Sequence, residues 1–124
     1  MKHYRFLFII VMLTLCNYFA LADEATINIQ YKGNHGAHNN LPVPADQPDV
    51  YYNSTTQQII IDGTGYVSYY DVEICSVATW NVVISTQVSG YYDTIDVSSL
   101  ATGEYCITIE SPAGNTYEGF FDTY

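Results

Sequence analysis

Three sets of side chains in this sequence are of types that do chemistry. His35 and His38 stand three residues apart in a glycine-rich stretch, with Asp46 and Asp49 downstream. Imidazole and carboxylate groups are ligands for Zn²⁺ and related ions. Holding a metal requires an element that aligns the imidazoles. Here Gly33, Gly36, Asn39 and Asn40 surround the pair, and Pro42, Pro44 and Pro48 follow. A surface loop is the better reading, so no metal site is assigned. The second set is acidic: Asp71, Glu73, Glu110, Glu118 and Asp122. These fall on one face if their segments are strands. Such a set suits Ca²⁺, and paired carboxylates also perform glycoside hydrolysis. Catalysis, however, needs a cleft and one raised pKa, and a flat, solvated sheet face supplies neither. No Ser/His/Asp grouping, activated cysteine or phosphate-binding glycine loop accompanies them. The chain is therefore read as a non-enzyme that needs no cofactor.

The third set is Cys16, Cys75 and Cys106, and its meaning depends on compartment. Lys2, His3 and Arg5 precede an apolar run over residues 6–15, and Ala20-Leu21-Ala22 places small residues where a signal peptidase reads. Residues 1–22 read as a secretory signal peptide cleaved between Ala22 and Asp23; the apolar run is too short for a membrane span. Cys16 leaves with that segment. An exported pair, Cys75 and Cys106, favours a disulfide over a metal site. Cleavage also leaves Lys32 alone against thirteen acids, 1 − 13 = −12. That charge repels nucleic acid and anionic membrane surfaces and keeps an exported protein soluble. The expected location is the periplasm or the cell exterior, without stable membrane insertion.

The elements that must position these groups are strands. Residues 25–31 alternate, with Ile27, Ile29 and Tyr31 on one face. Residues 32–49 break every pattern and read as a long exposed connection. Residues 50–52 form a short extended piece at a sheet edge, and 58–62 a strand. In 66–75 the charges fall on one face, so Tyr66, Ser68, Tyr70, Val72 and Ile74 face the core. Residues 80–88 place Val82 and Ile84 together. Residues 91–98 turn Ile95 and Val97 inward, and 104–110 turn Tyr105, Ile107 and Ile109 inward. Residues 116–123 close the domain with Tyr117, Gly119 and Phe121 inward. No window carries apolar residues at helical spacing. About seven strands with regular turn signals specify an all-β antiparallel sandwich. It divides into an N-terminal strand and flexible loop, 23–49, and the remainder, 50–124.

The stretch Leu100-Ala101-Thr102-Gly103-Glu104-Tyr105 resembles the corner of immunoglobulin-like and fibronectin-III-like sandwiches. There a tyrosine at the start of the sixth strand bonds back to the preceding corner. Tyr105 matches that tyrosine, Leu100 the corner's apolar residue, and Gly103 a position of unusual backbone angle. Over residues 58–122 the order of motifs is similar to a family of short secreted proteins of unknown function from Gram-negative gut anaerobes. The order is an isoleucine strand, Val72-Glu73-Ile74, Asp96-Val97-Ser98-Ser99-Leu100, the Gly-Glu-Tyr corner, and Gly114-Asn115-Thr116-Tyr117-Glu118-Gly119-Phe120-Phe121. It is also similar to the carboxy-terminal sorting domains of the type IX secretion system. Those domains follow a large cargo and usually end in basic residues; this chain ends Phe121-Asp122-Thr123-Tyr124, which favours the stand-alone family.

The immunoglobulin-like order makes the strands carrying Cys75 and Cys106 antiparallel neighbours. Each cysteine adjoins an inward residue, Ile74 and Tyr105, so both are expected side by side on the outer face and joined as a disulfide. The tyrosine pairs 51–52, 69–70 and 91–92 should each send one ring in and one out. Tyr69, with Phe120, is expected on the outside, where aromatics suit protein or sugar contacts; tyrosine is also simply a good strand former. Asp93-Thr94-Ile95 resembles an O-glycosylation acceptor used by some gut anaerobes, and Asn53-Ser54-Thr55 fits the N-glycan sequon. The expected function is a non-enzymatic module binding a protein or cell-surface partner. The alternative is a small carbohydrate-binding domain using exposed tyrosines.

Overall fold

The structure is a computed structural model that describes residues 24–34 and 43–123. The expected cleavage site at Ala22 and Asp23, and His35 and His38, lie outside the described residues. Nine strands form two sheets and no helix occurs among the described residues: β1 Glu24–Ile27, β2 Gln30–Asn34, β3 Asp49–Asn53, β4 Gln58–Asp62, β5 Tyr69–Ser76, β6 Val82–Ser89, β7 Tyr92–Asp96, β8 Gly103–Glu110 and β9 Asn115–Thr123. One sheet runs β1-β3-β4-β7, the other β2-β9-β8-β5-β6. Every ladder is antiparallel. Period-two alternation puts Ile59 and Ile61 of one sheet against Tyr70, Val72, Ile74, Ile107, Ile109 and Tyr117 of the other, all buried. This is the antiparallel sandwich expected from the sequence.

Its departures from the strand reading have local causes. Residues 25–31 are two strands in different sheets, β1 against β3 and β2 against β9. Both sheets face one core, so unbroken alternation cannot reveal the crossing. The crossing passes over Gly119, where an added Cβ would lie 2.9 Å from the Cγ2 atoms of Ile27 and Ile29. β3 is not at an edge; it lies between β1 and β4. The turn before β5 is longer than expected. Tyr66 and Ser68 are exposed, and Val67 packs on the core instead. A register shift places Val82 opposite Cys75 and Ile84 opposite Ile74, leaving Val83 as the extra residue. Val82 therefore faces out while Ile84 faces in. Residues 43–49 are not wholly exposed, since Asp46 and Pro48 are buried.

Candidate functional site

The corner forms as expected, with one exception. Tyr105 donates its hydroxyl to the Ala101 carbonyl at 2.6 Å. Thr123 Oγ1 donates to the same carbonyl at 2.9 Å and accepts the Gly103 N–H at 3.0 Å. The Tyr105 ring stacks on Phe121, 5.7 Å between centroids, and Leu100 packs on the core. The exception is Gly103. It is absent from the left-handed glycines Gly33, Gly65 and Gly114, and a Cβ there would meet nothing within 4 Å. The corner is held by hydroxyl-to-carbonyl bonds rather than by a special glycine angle.

Cys75 and Cys106 are direct register partners across β5 and β8. The Val77 N–H donates to the Glu104 carbonyl at 3.0 Å. Odd-numbered residues at this end of β5 therefore direct their backbone groups to β8. The cysteines form a hydrogen-bonded pair, with a Cα separation of about 5.5 Å, inside disulfide range. Both are free thiols in the structure, without the expected S–S bond. A further correction concerns exposure. Cys106 points away from the core yet is only 4% exposed. It lies in a row Val82–Cys75–Cys106–Phe120 that runs across four strands. Burial, then the Glu118 charge, pushes its thiol above the ordinary cysteine range.

The same outer face carries the acids. Asp71 stands opposite Glu110, and Glu73 and Glu118 flank Thr108. A shallow depression of about 410 Å³ includes Asp71, Glu73 and Glu110. Asp122 pairs with Glu104, beyond the Cys106–Phe120 row. Among the described residues, no three His, Cys, Asp or Glu side chains are arranged to hold a metal ion.

The tyrosines distribute differently from the expectation. Tyr52 and Tyr70 are buried, while Tyr51 and Tyr69 are half-buried. Tyr69 opens β5 and Phe120 lies in the row of Cys75, near the strand's other end, so the two do not form one site. Both members of the third pair are exposed. Tyr66, Tyr91 and Tyr92 are 77%, 69% and 59% accessible. Tyr66 and Tyr91 sit on two loops zipped by bonds from Gly63 N–H to Tyr91 O, Gly65 N–H to Gly90 O, and Gly90 N–H to Ser68 O. The Tyr91 ring lies against the backbone of Gly65. Tyr92 opens β7 opposite Asp62. The signal for this cluster was the glycine spacing: an added Cβ at Gly63 or Gly90 would strike the facing loop's carbonyl.

Asp46, considered above with the histidine loop, is instead the centre of a buried network. It is 8% exposed and accepts the Tyr117 hydroxyl and, at 3.1 Å, Asn115 Nδ2. Its own carbonyl accepts the Tyr70 hydroxyl at 2.7 Å. Burial raises the Asp46 pKa, but hydrogen bonds from Tyr117, Ser111, Asn115 and its own backbone outweigh that and hold it below the usual range. Tyr117 is raised, by burial first and by Asp46 next. Asn53 Oδ1 accepts the N–H groups of Thr55 and Thr56, so the sequon asparagine caps a turn. Thr94 is exposed on β7.

With this geometry in place, the chain can be set beside solved structures. It matches the crystal structure of a DUF3244 family protein with an immunoglobulin-like β-sandwich fold from Bacteroides vulgatus ATCC 8482. The TM-score is 0.64 at 12% identity, over 82% of this chain and 99% of that one. At that identity the match shows the fold: this chain is an immunoglobulin-like β-sandwich, and the matched family is one of unknown function. No family model matches the sequence, and no curated protein matches it.

Proposed function

We propose that the chain is an exported, non-enzymatic interaction module that contacts a protein at a cell surface. The carrying observation is the exposure, at one end of the sandwich, of Tyr66 and Tyr91 on loops fixed by backbone bonds and of Tyr92 at the start of β7. Rigid, exposed aromatics lose little side-chain entropy on contact and offer both an apolar body and a polar tip. The signal-like segment over residues 1–22 and the likeness to a family of short secreted proteins support export to the periplasm or beyond. The cysteine register supports a Cys75–Cys106 disulfide once the chain is in an oxidising compartment.

A second reading has a specific observation behind it. Asp62 is the register partner of Tyr92, so a carboxylate acceptor borders that ring. Aromatic faces beside hydrogen-bond acceptors are also the chemistry of sugar binding. One experiment separates the readings. The purified chain and its Tyr66→Ala/Tyr91→Ala/Tyr92→Ala variant are applied to a glycan array and to envelope proteins stripped of glycans. Saturable binding to stripped proteins, lost in the variant, is expected. Array binding lost in the variant would transfer the function to carbohydrate. Binding that the variant retains would remove the cluster from either role.

A further inference from the structure

Among the described residues the sandwich has four edge strands, and three are blunted. β1 has four residues. β2 carries Lys32 at a register shift beside Gly33, and Lys32 Nζ lies 3.8 Å from Glu118. β7 carries Asp93, whose Oδ1 accepts the Thr94 N–H at 2.8 Å and whose Oδ2 accepts the Ser89 N–H of β6 at 2.9 Å. Shortness, charge and bulges are the usual defences of an edge. β6 is eight residues long and has neither charge nor proline. Its one shift, at Val83, lies near its start and leaves residues 84–88 in regular ladder with β5.

The free hydrogen-bonding groups of that edge can be assigned. Ser89 points its N–H away from β5, toward Asp93. In an antiparallel ladder alternate residues share this direction. Ser85 and Gln87 therefore also point N–H and C=O outward, and β5 is the only strand paired with β6 among the described residues. Beside this edge the sandwich is open. A slot of about 320 Å³ between β6 and β7 is floored by Ile84, Val88 and Ile95. Thr86 and Thr94 are its exposed walls, with Asp93 and Asp96 at the rim.

We infer that β6 is a strand-addition site for an extended segment of a partner protein in which apolar residues alternate with Lys or Arg. Backbone bonds at Ser85 and Gln87 would set its register, as in other cases of β-augmentation. Its apolar side chains would enter the slot over Ile84 and Val88. Its opposite face would share the outer surface with Glu73 and Asp71, which stand across β6 from Ser85 and Gln87. The added strand lies about 10 Å from β5, two strand spacings, which lysine and arginine stems can span. A second copy adding its own β6 supplies no such charge, and its β2 edge offers a single Lys32 at a register shift. The site is separate from the tyrosine cluster and holds whether or not that cluster binds.

Amide hydrogen exchange read by NMR tests this, with the blocked peptide (Lys-Val)₄ as probe and (Glu-Val)₄ as control. In the purified chain the Ser85 and Gln87 amides should exchange rapidly. Saturating (Lys-Val)₄ should protect both, and (Glu-Val)₄ neither. Gln87→Pro removes one outward backbone donor, together with the Gln87 Nε2 bond to Asp71 at 3.2 Å, and leaves the β5–β6 backbone ladder in place; it should weaken (Lys-Val)₄ binding by about tenfold or more. Thr86→Lys, which puts a charged side chain in the slot where the probe's valines would enter, should do the same if the proline variant is poorly folded. The tyrosine triple variant should bind the probe normally. No protection at Ser85 and Gln87, or equal protection by both peptides, would overturn the inference. Protection that rises with protein concentration alone, together with a dimer in sedimentation, would assign the edge to a second copy and also overturn it.

Discussion

The Asp46 carboxylate accepts the hydroxyl of Tyr117, 71 positions away, inside the sandwich. Asn115 and Ser111 bond to the same carboxylate, so its charged form is preferred in the folded state despite burial. A carboxyl with a lowered folded pKa adds stability above its unfolded pKa, near 4, and loses it as pH falls through the folded value. Denaturant unfolding should thus show a loss of stability below about pH 4 that Asp46→Asn reduces, with Asp96, also lowered by its bonds from Ser98, keeping a remainder. Asp46→Ala strands the buried Tyr117 hydroxyl and removes the partner of the half-buried Asn115 amide, and should cost about 1–3 kcal/mol at neutral pH. An unchanged acid limb in Asp46→Asn would place the acid sensitivity elsewhere.

Tyr105→Phe keeps the stacked ring and removes only the bond to Ala101. Thr123 still satisfies that carbonyl. The expected cost is about 1 kcal/mol, the net worth of one hydrogen bond. For a domain of this size that lowers Tm by roughly 4–8 °C. A melting curve superimposable on that of the parent would show that the corner is held by packing alone.

The cysteine pair should close under oxidation. Diamide treatment followed by non-reducing peptide mapping should recover Cys75 and Cys106 in one linked species. A loop of roughly 30 residues gives about 3–4 kcal/mol of stabilisation in the chain-entropy model. The Cys106 thiol is raised, so its reaction should be slow at neutral pH and accelerate as pH rises. Two thiols that remain fully alkylatable after prolonged oxidation would rule the bond out.

Two glycines should behave oppositely on substitution by alanine. Gly103→Ala meets open space at an ordinary backbone angle and should be neutral or stabilise by about 0.4–1 kcal/mol. Gly119→Ala drives a methyl onto Ile27, Asn28 and Ile29, where the chain crosses between sheets. It should destabilise by about 1–3 kcal/mol, the usual cost of overpacking. Chemical denaturation of both variants settles the contrast, and equal values would contradict the crossing's geometry.

Local pattern carried most of the fold. Ile59, Ile61, Val72, Ile74, Ile107 and Ile109 announce their faces by alternation alone, because a strand's side chains must alternate. The corner was legible because Leu100, Tyr105 and the turn between them are close in sequence. What was hidden involved choices between equivalent partners. Alternation over residues 25–31 reads the same whether one sheet or both receive it. The insertion at Val83 changes which face Val82 takes, and no residue type marks it. Tyr91 and Tyr92 escape the one-in, one-out rule because Tyr91 lies outside β7.

The sequence by itself determined an acidic, all-β chain, the core faces of its middle and final strands, the tyrosine corner and the adjacency of Cys75 and Cys106. The first two follow from period, turn chemistry and charge, which act between near neighbours; the corner and the cysteine adjacency came through the resemblance to immunoglobulin-like sandwiches, whose strand order supplies the long-range pairing. Only the tertiary structure decided that Asp46 is a buried acceptor rather than a loop carboxylate. It also gathered Tyr66, Tyr91 and Tyr92 at one end and left β6 as the undefended edge. Each of these depends on which distant backbone lies alongside, and that is fixed when two sheets close over one core.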